Sequence, residues 1–340
     1  MTQQGLRNSY GRAGTFEGET ARVSTAHLGA QQATAGAFRH EAFLYSGVDE
    51  FVSVARSYVL GGLADDMPVL VLLTGEKLEL LRAQLPQDPR LYFADMGVVG
   101  RNPARIIPLW YDFVASFQSR PRPLRGLGEP FGQPRAAPEH DECELHESLL
   151  NLAFAAFPSF WLLCAYDAGS LRTRVVEQAR CNHPYILEGG AHRASVEYRD
   201  ITSSPNPFGN PLADPPNDAF RMEFGIGQLR VLRTLAAHYL GLTGLDRERM
   251  DDLVLAINEV ATNSVQHAGG HGTLRIWQEG PTVLCEVRDD GYITDPLVGR
   301  RTPGFGDEAS RGFWVVNQLC DLVQVRSSPA GTIVRMHVRL

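Results

Sequence analysis

The 340-residue sequence predicts two domains of different class, an α/β domain built on a parallel sheet and then an α+β domain. Three observations carry that expectation. Apolar strands alternate with helices up to about residue 180, the composition breaks at a proline-rich stretch after residue 200, and paired strands set apart from helices follow it.

Residues 1–36 are rich in Gly, Ala, Gln, Ser and Thr without a sustained apolar period, and read as a disordered tail. The first domain, residues 37–200, opens with the strand Ala42-Phe43-Leu44-Tyr45 and a helix over Glu50 to Leu60. Val69 to Leu73 is a continuous apolar strand, Glu76 to Leu85 a helix and Leu91 to Phe93 a strand. Helices over Ala104 to Phe117, Glu139 to Phe157 and Leu171 to Arg180 then alternate with strands at Pro123 to Leu127 and Phe160 to Ala165. Such alternation implies parallel strands joined by crossovers. Residues 201–217 hold Pro205, Pro207, Pro211, Pro215 and Pro216 among Ser, Asn and Gly, and read as a semi-extended linker.

The second domain, residues 218–340, starts with a strand at Phe220 to Phe224 and a helix to Leu240. Asp246 is placed to cap a helix ending near His267. Leu274 to Trp277 and Val283 to Val287 form a hairpin around Glu279-Gly280-Pro281. A glycine-punctuated loop leads to a helix over Phe313 to Leu319, and a last hairpin turns at Ser328-Pro329-Ala330-Gly331.

Composition excludes several classes. Charged residues are 21% and hydrophobic ones 44%, the profile of a soluble globular protein. The longest apolar run, Met67 to Leu73, is far short of the ~20 residues of a membrane span, and no signal-peptide segment opens the chain, so the expectation is cytoplasmic. Net charge is -7 with no basic run, which argues against nucleic acid as a partner. Lys77 is the only lysine and lacks a glycine-rich loop before it, so any ATP site is built without a P-loop. The five cysteines form no C-x-x-C pair and read as free, mostly buried thiols. His140, Cys143 and His146 do not share one helical face, and read as an ordinary helix surface.

Chemistry concentrates in the helix Leu253 to His267. Glu259 and Asn263 are four apart and stack on one face. The amide oxygen of Asn263 suits Mg²⁺, and Glu259 suits a proton acceptor for an attacking hydroxyl. The stretch Asn258-Glu259-Val260-Ala261-Thr262-Asn263-Ser264-Val265-Gln266-His267-Ala268 resembles the N-box of the GHKL ATPases, nearest to RsbW-like anti-sigma-factor serine kinases. Val287-Arg288-Asp289-Asp290-Gly291 resembles the box in which an aspartate grips adenine. Ser310-Arg311-Gly312-Phe313 through Asp321 resembles the box where glycines precede a helix facing the triphosphate, and Gly331-Thr332 the position whose hydroxyl supports the adenine aspartate.

The resemblance implies a Bergerat-type GHKL sandwich binding ATP and Mg²⁺. Glu259 would be catalytic, Asn263 would hold the metal, and Asp289, Gly291, Arg311, Gly312 and Thr332 would bind nucleotide. Two departures stand out: Ile293 and Ser310 occupy positions where the family often has glycine.

The first domain resembles the MEDS sensory domain, distantly similar to KaiC-type RecA folds. His40 to Tyr45, Tyr92 to Met96, Gly126 to Pro130, His146 to Asn151 and Leu163 to Asp167 carry the likeness. Carboxyl ends of parallel strands are where ligands bind, which makes Tyr45, Asp95, Glu129 and Asp167 the candidate sensory residues for a small-molecule signal. The two resemblances together imply a cytoplasmic sensor-controlled serine/threonine kinase. Its substrate would be a STAS-type anti-sigma-factor antagonist, with a sigma factor as a further partner and a homodimer compatible with the branch. A nucleotide-gated binding switch without phosphoryl transfer, or a histidine-kinase-like ATPase, are the alternatives. The latter would need a dimerising helical hairpin upstream, and only the short helix carrying His238 stands there.

Overall fold

Short apolar runs covered on both faces build the first sheet, which is why its strands read as continuous rather than alternating. A computed structural model of the protein describes residues 38–117, 122–157, 159–204, 206–303 and 308–340. The expected tail and Pro205 lie outside the described residues. Strands β1 (Arg39–Tyr45), β2 (Val69–Leu73), β3 (Leu91–Asp95), β4 (Leu124–Gly128), β5 (Phe160–Asp167), β6 (Tyr185–Glu188) and β7 (Ala191–Ala194) stand in the order β3-β2-β4-β5-β1-β6-β7. All pairings are parallel except the β6–β7 hairpin. Helices α1 (Val48–Ala64), α2 (Gly75–Arg82), α3 (Met96–Val99), α4 (Ile106–Ala115), α5 (Ala137–Phe154) and α6 (Thr173–Asn182) connect them. Phe43 and Tyr45 of β1 pack with Phe51 and Val59 of α1 in the core. His40 and Ala42, one residue out of phase, look to the opposite face.

The second sheet contains β8 (Phe220–Gly225), β9 (His271–Glu279), β10 (Thr282–Asp289), β11 (Leu322–Ser328) and β12 (Gly331–Arg339), ordered β11-β12-β10-β9-β8 and antiparallel throughout. Helices α7 (Leu229–Leu240), α8 (Arg247–His267) and α9 (Glu308–Leu319) cover one face. Leu232, Leu253, Ile257, Val260, Leu274, Val287, Phe313 and Val316 fill that core. The sandwich form expected of the C-terminal domain is the one observed.

The opposite face is polar, and the proline-rich stretch lies across it. Arg335 donates to the Ala213 carbonyl (2.5 Å) and Arg326 to the Asn210 carbonyl (2.5 Å), while Arg288 reaches Asp214 at 3.2 Å. The linker is therefore a strap fastened by arginines.

The chain forms two compact units whose bounds do not follow sequence order. Described residues up to 97 pack with 112–133 and 150–199, whereas residues 98–111 and 134–149 pack with 200–340. Two segments that precede the linker in sequence thus belong with the C-terminal sandwich. Within that unit Arg105 donates to the carbonyls of Asn317 (2.7 Å), Gln318 (2.7 Å) and Cys320 (2.9 Å). These are groups that a helix leaves unpaired at its C-terminus, and a cation there also suits the helix dipole. Cys143 and His146 are buried, so that part of α5 is core and not the surface expected. All five cysteines are free, four of them buried. Among the described residues no helix is long and apolar enough to cross a membrane.

Candidate functional site

Helix α8 starts where the sequence suggests, with Asp246 Oδ1 accepting from the Arg249 amide at 2.8 Å. Leu253, Ala256, Ile257, Val260, Ala261 and Ser264 face the core. Glu259 and Asn263 sit half-buried on the neighbouring face, looking towards α9. A Cβ placed on Gly312 would stand 3.4 Å from Glu259 Oε2 and 3.3 Å from Asn263 Nδ2. A side chain at 312 would press on both groups, so the glycine lets α9 come close to them.

The structure corrects one expectation here. Helix α9 begins at Glu308 rather than Phe313, so Gly312 lies inside the helix and does not precede it. Arg311 is exposed on α9, and the side chain of Ser310 lies outside the described residues.

Asp289 ends β10 beside α8. Its Oδ2 accepts from Ser264 Oγ at 2.6 Å and its Oδ1 from the Gly291 amide at 2.9 Å. Gly291 must be glycine, because a Cβ there would come within 2.6 Å of Ala268 Cβ. Thr332 lies opposite Asp289 in the β10–β12 register, yet its hydroxyl donates to the Gly291 carbonyl (2.8 Å) and not to the aspartate. Support of the Asp289 carboxylate falls instead to Ser264. Ser327 Oγ joins Thr332 Oγ1 at 2.7 Å and accepts from the Ile293 amide at 2.8 Å, so Ile293 is tied down where a glycine was expected. Neither Ser264 nor Ser327 emerged from the sequence, although Ser264 follows Asn263 directly in the N-box stretch.

The fit to a nucleotide and its cation is testable on Asn263. Its Nδ2 is buried and has no hydrogen-bond partner among the described residues. A buried amide left open beside a glutamate is what a site for a polar ligand requires. A cavity of about 890 Å³ opens on the far side of Asp289, lined by His271, Arg288, Asp290, Gly331 and Thr332. Glu259, Asn263 and Gly312 lie outside that lining, so it is not the face on which the paired polar groups converge.

The candidate sensory residues divide. Tyr45 Oη donates to Glu129 Oε1 at 2.5 Å, and Lys77 Nζ donates to both Tyr45 Oη and Glu129 Oε1 at 2.6 Å. Burial raises the Glu129 carboxyl above its ordinary pKa, against the pull of Lys77 and Tyr45. Burial, then the neighbouring Glu129, pushes the Tyr45 hydroxyl well up. Asp95 and Asp167 instead accept from the amides of Gly97 (2.7 Å) and Gly169 (3.1 Å), as turn carboxylates do. Lys77 is a partner the sequence does not reveal, since no local pattern ties it to Tyr45 or Glu129.

Two known families match the chain. Residues 39–184 match the MEDS family, the methanogen/methylotroph DcmR sensory domain. Residues 223–338 match the histidine kinase-like ATPase domain. The chain joins a MEDS sensory domain to a histidine kinase-like ATPase domain. No curated protein matches the sequence. Among solved structures, the RsbU and RsbW domains of Rv1364c from Mycobacterium tuberculosis align at 20% identity and a TM-score of 0.29. That alignment covers 37% of this chain and 33% of the other, so the chain spans about a third of that structure's length.

Proposed function

We propose that the second domain is an ATP- and Mg²⁺-dependent serine/threonine kinase of the anti-sigma-factor type, controlled by the first. The observation that supports it is the convergence of Glu259 and Asn263 on Gly312, with the buried Asn263 Nδ2 left without a hydrogen-bond partner among the described residues. Asn263 would hold Mg²⁺, Asp289 the adenine amine, and the backbone around Gly291 and Gly312 the rest of the nucleotide. ATP supplies the phosphoryl group. Glu259 orients the incoming hydroxyl and takes its proton. The substrate is a STAS-type antagonist, and a sigma factor is a second partner. Tyr45, Lys77 and Glu129 form the polar floor on which the signal acts.

A second reading, a nucleotide-gated binding switch, is favoured by α9, whose helix already encloses Gly312. Purified full-length protein incubated with labelled ATP and a STAS-type antagonist separates the two. Phosphoserine or phosphothreonine on the antagonist supports the kinase. ATP-dependent capture of the antagonist without label supports the switch.

A further inference from the structure

A group of side chains in the first domain serves neither the nucleotide site nor the Tyr45 cluster. His40 lies on β1 on the face opposite Tyr45, Cys164 on the adjacent β5, and His183 just after α6. None is more than 2% exposed. Their potential ligand atoms all lie within 4.8 Å of one another. Cys164 Sγ is 3.4 Å from His40 Nε2, and the two imidazole rings have centroids 4.0 Å apart.

The hydrogen bonds around these rings determine which nitrogen each presents. Asn151 Nδ2 donates to the Asn182 carbonyl at 2.7 Å, which orients that amide and leaves its Oδ1 as an acceptor. His40 Nδ1, 3.1 Å from this Oδ1, must then carry the proton. His183 Nδ1 is 2.7 Å from the Ala179 carbonyl, which can only accept, so it too is protonated. With Nδ1 engaged in this way, Nε2 is the nitrogen that each imidazole can offer as a ligand. A ring whose far nitrogen is held by an oxygen acceptor is how metal-ligating histidines are oriented.

We propose that His40 Nε2, His183 Nε2 and Cys164 Sγ bind one divalent transition-metal ion of the zinc type. Two imidazoles and a thiolate suit such a borderline-soft ion and not Mg²⁺ or Ca²⁺. Bonds of about 2.0–2.3 Å in tetrahedral geometry put ligands about 3.3–3.8 Å apart, so the three atoms are near the required spacing. The fourth position falls to a further donor. On binding, the Cys164 S–H bond breaks, the thiolate takes the metal and one proton leaves to solvent. The sensory domain is then a metalloprotein, independently of whether its partner domain transfers phosphate.

The test uses the full-length chain, stripped with chelator and titrated with Zn²⁺ or Co²⁺. One ion per chain is expected, with release of one proton seen as buffer-dependent heat in calorimetry. Co²⁺ should also give the near-ultraviolet charge-transfer band of a thiolate ligand. Cys164→Ser should abolish that band, and Asn151→Ala should weaken affinity by about 10–100-fold through loss of ring orientation. Cys181→Ser, a half-buried thiol elsewhere in the domain, should change nothing. Wild-type protein that retains neither ion, or Co²⁺ bound without the thiolate band, overturns the proposal. Unchanged affinity in a Cys164→Ser variant that is folded by circular dichroism does so too. Should Cys164→Ser fail to fold, the wild-type cobalt spectrum decides alone.

Discussion

The two domains each gather polar side chains, the first at the carboxyl ends of inner strands and the second between α8 and α9, and they treat them differently. At the carboxyl ends of the first sheet's strands, Lys77 and Tyr45 both bond Glu129 Oε1, so the charge of a buried carboxylate is paired from within the protein, while its Oε2 has no hydrogen-bond partner among the described residues. On α8 of the second domain, Asn263 Nδ2 is buried without a partner among the described residues, and Glu259 approaches the same glycine of α9. The first arrangement contributes to the fold by pairing charge. The second leaves polar capacity unspent, which costs stability unless a ligand takes it up. A charge paired within the protein is read out in stability, and an amide left open can be read out in ligand binding.

The sharpest way to break this contrast is Glu259→Gln. Phosphoryl transfer to the antagonist should fall about 10²- to 10⁴-fold while ATP affinity by calorimetry stays within about threefold, since the carboxylate acts on the nucleophile. Asn263→Ala should lower both. Next in size, Asp289→Asn should weaken nucleotide binding by about 1.5–3 kcal/mol, through loss of a charge-assisted acceptor. Equal nucleotide affinity in that variant would remove Asp289 from the site.

The first domain should respond in stability instead. Lys77→Met strands Glu129, and removing one partner of a fully buried pair costs about 3–5 kcal/mol. Because Lys77 is 25% exposed, the expected loss is discounted to about 1–3 kcal/mol, with nucleotide affinity unchanged. The double variant Lys77→Met/Glu129→Gln should recover part of it in thermal melts.

The smallest effect is a pH dependence of opposite sign in the two domains. Glu129 has its folded pKa raised, chiefly by burial, so it binds more protons folded than unfolded above pH 4.5. Its contribution is present below that pH and is lost as pH rises through the folded value. His337 is lowered by burial from 6.5 to about 4, so it binds fewer protons folded, and its contribution is lost as pH falls from 6.5 towards 4. Melting curves of Glu129→Gln and His337→Gln against the wild type should therefore diverge in opposite directions across pH 4–6.5. Parallel differences would show that the two groups do not differ as their burial implies.

Legibility in the sequence followed range. Val69–Leu73 is a strand at the expected bounds, and Asp246 caps α8, because both depend on neighbouring residues alone. Glu259 and Asn263 were legible as a pair for the same reason, one helical turn being local. Lys77 as a partner of Tyr45 and Glu129 was not: it reaches them only because β2, β4, β5 and β1 pair across long stretches of chain. His40 and Cys164 are 124 residues apart and adjacent only through the same pairing. The β6–β7 hairpin was hidden because every residue of β7 is exposed, so no apolar alternation marks it. Its Gly189-Gly190 turn, with φ of 55° and 77°, was the available sign. The role of Thr332 was misplaced because position opposite Asp289 in a ladder does not say which oxygen a hydroxyl will reach.

The scarcity of lysine gives the Tyr45 cluster a practical property. Apart from the chain's amino terminus, Lys77 offers the one aliphatic amine an acylating or reductively methylating reagent can find. A single ¹³C-methyl label there would report from an amine 2.6 Å from both Tyr45 and Glu129. One resonance would thus follow the interior of the sensory domain in the intact protein while nucleotide is added to the other.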